Sequence, residues 1–190
     1  VRNRWLVIGS VEAPVEDALR LRRTWLLGQP SKRFALLLDY AHGGLGFPSG
    51  YPSGAWLEGA LIYYPSAFPL RALVAEELTT APAGPIENIP EYNSLDELAT
   101  AYAAALGVQP WLEQFPALVH QITPYQEKGQ FYLADSAGKR LPLTNTGNTA
   151  WPLIAVSAGR PISLFGEWNG SRLQVLSILT PAGIISLENL

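Results

Sequence analysis

Trp56-Leu-Glu-Gly-Ala-Leu-Ile-Tyr-Tyr-Pro-Ser-Ala-Phe-Pro-Leu-Arg-Ala-Leu-Val74 reads as two buried strands around a proline-punctuated corner, with no catalytic spacing inside it. Proline cannot donate to a strand ladder, so Pro65 and Pro69 mark where one apolar run stops and the next begins. Working outward, residues 5–8, 19–27, 34–40, 57–64 and 70–78 are rich in apolar, aromatic and branched residues, and Gly, Pro and Ser clusters separate them, which predicts five strands. Gly28-Gln-Pro-Ser-Lys-Arg33 is the turn of a hairpin, whereas Gly43 to Gly54 is too crowded with Gly and Pro for regular structure. Residues 1–80 are therefore expected to form a small β unit, a five-stranded barrel or a strongly curled sheet, because curling hides exposed strand edges.

Residues 81–93 have the composition of a linker. A helical connector is expected over 94–122. Ser94 with Glu97 makes a capping box, Leu95, Leu98, Tyr102 and Ala105 fall three or four apart, and Gly107 suits a C-cap. Pro110 opens a second helix carrying Trp111, Leu112 and Phe115, which Pro116 ends or kinks. Residues 123–190 return to strands at 130–134, 141–143, 151–156, 161–168, 173–179 and 184–187, and Asn169-Gly170 is the strongest hairpin signal. The expected class is mainly β, of the α+β kind: two small antiparallel β units, each a curled sheet or small barrel, joined by a short helical segment.

Composition narrows the function. In 190 residues, 48% hydrophobic and 15% charged, there is enough apolar surface for a folded core. No cysteine is present, which removes disulfides, thiolate nucleophiles and thiolate-bound zinc. No apolar run reaches the roughly 20 residues of a membrane span and the first residues lack signal-peptide order, so a cytoplasmic protein with no membrane partner is expected. A chain starting at Val1 with no methionine reads as a piece of a larger parent.

Several blocks carry a resemblance in their order: Arg4-Trp-Leu-Val-Ile-Gly9, Arg22-Arg-Thr-Trp-Leu-Leu-Gly28, Leu36-Leu-Leu-Asp-Tyr40, Tyr64-Pro65 with Pro69-Leu-Arg-Ala-Leu73, and Ala101-Tyr-Ala-Ala-Ala-Leu106 before Pro110-Trp-Leu112. Tyr132-Leu-Ala-Asp135 with Leu141-Pro-Leu143, Ala155-Val-Ser-Ala-Gly-Arg-Pro161 and Gly166-Glu-Trp168 follow. Together they resemble the C-terminal region of bacterial SWIM zinc-finger family proteins, downstream of the zinc motif. The Cys-x-Cys…Cys-x-His motif that names the family is absent, so no zinc-ligand role passes to any residue. The resemblance implies a parent that binds nucleic acid or protein through its finger, with this region as a scaffold or interaction module.

No residue pattern asks for catalysis, a metal or a cofactor. Asp39, His42, Ser49, Ser53 and Ser66 contain the residue types of a hydrolase triad, but no Gly-x-Ser-x-Gly elbow is present. His120, in the apolar Ala117-to-Ile122 stretch, reads as a packed or half-exposed helix residue, and two histidines without cysteines make a poor metal site. Glu76-Glu77 and Glu87 with Glu91 read as solvated charges rather than a glycosidase pair. Gly43-Gly-Leu-Gly46 lacks the Lys-Ser/Thr ending of a phosphate loop.

Charge is uneven. Residues 1–40 carry seven Lys or Arg against four acids, while 76–97 carry six acids and no base. The best binding candidate is the first hairpin, where Arg20, Arg22 and Arg23 precede Trp25 and Lys32-Arg33 begin the return strand. Exposed, these residues would follow a phosphate backbone and stack bases, making a single-stranded nucleic-acid binder. Otherwise they are the wet face of an antiparallel strand whose Leu19, Leu21 and Trp25 lie in the core. The expected role is a non-catalytic scaffold or interaction module engaging a protein partner or the rest of its parent chain, with single-stranded nucleic acid as the alternative and a hydrolase third.

Overall fold

The structure, a computed structural model, describes residues 1–29, 31–47, 50–86 and 89–187. It forms two compact units, Val1–Ile89 and Pro90–Leu190. Ser49 and Glu87 lie outside the described residues.

The first unit contains β1 (Arg2–Pro14), β2 (Leu19–Gln29), β3 (Phe34–His42), β4 (Trp56–Tyr63), β5 (Ala72–Val74) and β6 (Thr79–Thr80). They form an antiparallel sheet of order β3-β2-β1-β4-β5, with β6 on β4. Alternate residues Trp5, Val7, Leu26, Leu37, Leu57 and Leu61 share one core. Leu6, Ile8, Trp25 and Leu27, on the other face, are buried too, which explains the continuous apolar stretches Trp5–Ile8 and Trp25–Leu27 within β1 and β2. The Trp5 indole Nε1 donates to the Gly59 carbonyl at 3.2 Å, so the largest core side chain keeps its polar atom satisfied. The sheet curls until the Leu36 amide donates to the Leu70 carbonyl at 2.8 Å, leaving one isolated parallel bridge between Leu36 and Arg71. A single bridge is not a ladder: the sheet is curled, not a closed barrel.

The second unit begins with α1 (Leu95–Val108). The Ser94 hydroxyl accepts from the Glu97 amide at 3.1 Å, and Asp135 receives the Leu95 amide at 3.1 Å, so two of the helix's orphan N–H groups are satisfied. Leu95, Leu98, Tyr102 and Ala105 are its buried stripe. The helix runs through Gly107 and is capped by Gln109. Then follow β7 (Phe115–Glu127), β8 (Gln130–Ala134), β9 (Arg140–Pro142), α2 (Gly147–Ser157), β10 (Ile162–Trp168), β11 (Leu173–Thr180) and β12 (Gly183–Ser186). The sheet order is β12-β11-β10-β7-β8-β9. It also curls back through one isolated parallel bridge, Leu143 to Leu173, with the Thr144 amide on the Leu173 carbonyl at 2.9 Å.

Two expectations are corrected here. The second half of the helical connector is strand: residues 115–122 lie in β7, with no helix opened by Pro110. Pro116 is tolerated because β7 pairs there with β10 alone, and β8 joins only from Thr123 onward. Residues 151–156, read as strand, belong to α2. Its buried residues Ala150, Leu153 and Ser157 follow a three-and-four spacing that the continuous apolar run conceals.

Two glycines are required by geometry. A Cβ on Gly166 would sit 2.4 Å from the Gln174 carbonyl oxygen, at the bulge between β10 and β11. Gly170, at φ +91°, turns the Asn169-Gly170 hairpin and would press a Cβ to 2.8 Å from the Tyr102 ring.

Candidate interaction site

The basic hairpin is largely self-satisfied. Glu12 on β1 faces Arg22 in register, and its carboxylate accepts from Arg22 Nη2 at 2.7 Å and from Arg20 Nη1 at 3.4 Å. Arg20 Nη2 also donates to the Leu45 carbonyl at 2.9 Å, and both guanidiniums lie over the Phe47 ring, at 5.0 and 4.1 Å. Asp39 is the register neighbour of Arg22 on the other side. Arg23, half-buried, points to the opposite face of β2. Lys32 is exposed in the turn at φ +55°, and the Arg33 guanidinium lies 4.2 Å from the Tyr63 ring centre. Trp25 is fully buried and packs at right angles to Phe34, so of the two readings of the hairpin it takes the core one, and the alternative loses Trp25 as a base-stacking residue.

The described triad-like residues of this unit form no catalytic contact with one another. His42 is exposed at the end of β3, and among the described residues no hydrogen bond or ion pair joins it to a serine or a carboxylate. Glu76 pairs with Arg2 at 2.5 Å on the surface.

A different constellation forms in the second unit. Opposite Ser163, β7 carries a bulge at His120 and Gln121, where the register with β10 shifts and Gln121 takes φ +54°. His120 Nδ1 lies 2.5 Å from Ser163 Oγ and 3.1 Å from Glu91 Oε2, while Gln121 Nε2 approaches His120 Nε2 at 3.2 Å. Glu91 arrives through a parallel bridge from Tyr92 to Val119. The sequence separates these residues by tens of positions, and a helical reading of 117–122 hides the bulge that gathers them. A serine relay needs hydroxyl and carboxylate on opposite ring nitrogens. Here both meet Nδ1, which makes a clip that ties residue 91 and β10 to β7.

The tryptophans divide sharply. Trp5, Trp25, Trp56 and Trp168 are buried, but Trp111 is 76% exposed and Trp151 is 52% exposed. Trp151 still packs edge-on against Phe131. Trp111 stands in the loop between α1 and β7, at a cleft of about 510 Å³ lined by Pro110, Leu112, Glu113, Gln114, Asn169 and Ser171. Both rims are held. Leu112 is buried and its carbonyl accepts from the Tyr102 hydroxyl at 3.2 Å. Across the cleft, the Asn169 side-chain oxygen accepts from the Ser171 and Arg172 amides at 3.0 and 2.9 Å. Tyr102 packs on Trp168 at 4.9 Å and on Phe115 at 5.4 Å, so one core ring supports both sides. The sequence concealed this exposure, because Trp111, Leu112 and Phe115 fall at helical spacing and read as a buried stripe.

Among the described residues, no group of three His, Cys, Asp or Glu side chains is placed to hold a metal ion. Among the same residues, no helix is long and apolar enough to cross a membrane. In comparisons with known proteins, no family model, curated protein or solved structure matches the chain.

Proposed function

We propose that the chain is a non-catalytic interaction module of a SWIM zinc-finger-like cytoplasmic protein, and that it holds a protein partner on the Trp111 cleft. The observation that carries this reading is a large indole left 76% exposed on a loop that its neighbour Leu112, buried and bonded to the Tyr102 hydroxyl, anchors. Tryptophan buries more apolar area than other side chains, and anchors of this kind dominate binding at protein interfaces. Rigid support lowers the ordering cost of binding. The order of the sequence blocks that resemble the region beyond a SWIM finger supports the assignment to such a parent. The shared use of one ring nitrogen in the His120 clip supports a role without catalysis.

Paired affinity captures with the wild-type chain and Trp111→Ala, followed by titration of the purified partner, test the reading. A partner whose affinity falls tenfold or more with Trp111→Ala, at unchanged thermal stability, is expected. Equal retention by both forms overturns it. In parallel, anisotropy with labelled single-stranded DNA and RNA at two salt concentrations addresses the alternative. Salt-sensitive binding lost in Arg20→Ala with Arg22→Ala would move the function to the first hairpin.

A further inference from the structure

Within that reading of the cleft, on which this step rests, the geometry points to the chemistry of what is held there: we infer that Trp111 and Glu113 receive an arginine side chain of the partner. An indole face attracts cations through its negative quadrupole, more strongly than other aromatic side chains do. Glu113 lines the same cleft and is exposed. No lysine or arginine lines it. Arg172, next in sequence to Ser171, turns away and donates through Nη1 to the Leu143 carbonyl at 3.2 Å. The site therefore offers one aromatic face and one anion without a cation of its own, a charge pattern that suits a positive guest and repels phosphate.

Arginine fits better than lysine. Its planar guanidinium stacks on the indole while its edge N–H groups reach a carboxylate. Gln114 lines the cleft as well and adds an amide oxygen able to accept from the same fork. Asn169 contributes shape rather than a second acceptor, because its side-chain oxygen is committed to the Ser171 and Arg172 amides.

The test uses the whole chain with three synthetic peptides, tetra-arginine, tetra-lysine and tetra-citrulline, followed by calorimetry and by the indole N–H resonance of Trp111. Citrulline keeps the planar shape and removes the charge. Tetra-arginine is expected to shift the Trp111 resonance and to bind several-fold more tightly than tetra-lysine. Its affinity should drop about 2- to 30-fold in Trp111→Ala. Glu113→Gln should lower it about threefold, and Glu16→Gln, an exposed acid of the first unit, should leave it unchanged. Arginine binding indifferent to Trp111→Ala and Glu113→Gln, or citrulline binding as well as arginine, overturns the inference. A protein partner lost with Trp111→Ala but retained when its arginines are replaced would overturn the arginine alone and leave the Trp111 cleft as the interaction site. A partner indifferent to Trp111→Ala would overturn both.

Discussion

The two units curl an antiparallel sheet by the same device, a single parallel bridge between chain segments at its margins, Leu36 to Arg71 in the first and Leu143 to Leu173 in the second. They differ in where polar and aromatic groups are spent. In the first unit the cross-strand positions neutralise one another: Glu12 serves Arg20 and Arg22, and Phe47 lies against both. In the second, helix α1 and the long β7 leave a loop between them, and that loop presents Trp111 and Glu113 to a cleft whose described lining holds no lysine or arginine. A strand face fills its own binding capacity through register, while a loop on a rigid base can hold groups in reserve.

The comparison breaks first at the cores. Trp5→Ala should destabilise the first unit by about 3–5 kcal/mol, and Gly166→Ala the second by about 3 kcal/mol, because the added Cβ meets backbone that cannot step aside. Hydrogen exchange is expected to lose protection over β1 to β6 in one variant and over β7 to β12 in the other; loss across all strands in both would make the units one cooperative block. Next in size is Asp135→Ala. This buried carboxylate accepts the amides of Leu95, Ala137 and Lys139 at 3.1, 3.0 and 2.9 Å, tying the start of α1 to the β8–β9 turn. Its loss should cost about 2 kcal/mol in urea unfolding, with fraying of residues 95–98; an unchanged midpoint would show that water replaces it.

Glu12→Gln sharpens the electrostatic side. The ion pairs are partly exposed, so stability should fall by less than about 1 kcal/mol. Affinity for single-stranded DNA at low salt should rise as the two arginines are released, and if it does not, the stripe is purely structural. The smallest effect concerns alkaline pH. Burial raises the Tyr63 phenol above its usual 10.0, against a smaller opposing pull from Arg33, and the hydroxyl donates to the Phe34 carbonyl at 3.0 Å. The folded state then holds its proton after the unfolded chain has lost it. Stability is full below pH 10 and declines above it, and Tyr63→Phe should flatten that decline in unfolding curves measured between pH 9 and 11.

Much of the architecture was legible. The first four strands of the first unit, the Gly28-to-Arg33 hairpin, the Ser94 cap and the Asn169-Gly170 turn all rest on local chemistry: alternation, prolines at strand ends, hydroxyl caps and residues tolerant of positive φ; the fifth strand, read over 70–78, is Ala72–Val74 with a separate short strand at Thr79–Thr80. The misreadings at 115–122 and 151–156 share a cause. Short apolar runs fit helix and strand alike, and pairing of β7 with β10 settled one while the buried stripe of α2 settled the other. Of the candidate sites, the sequence by itself determined which charges and rings exist and in what order, including a basic first hairpin. Only the tertiary structure decided that Trp25 is core, that Glu12 occupies the arginines, that His120 meets Ser163 and Glu91 at a bulge, and that Trp111 stays exposed. Those outcomes depend on which distant strand lies alongside, and register across a sheet is a property of pairs of segments that no single segment encodes.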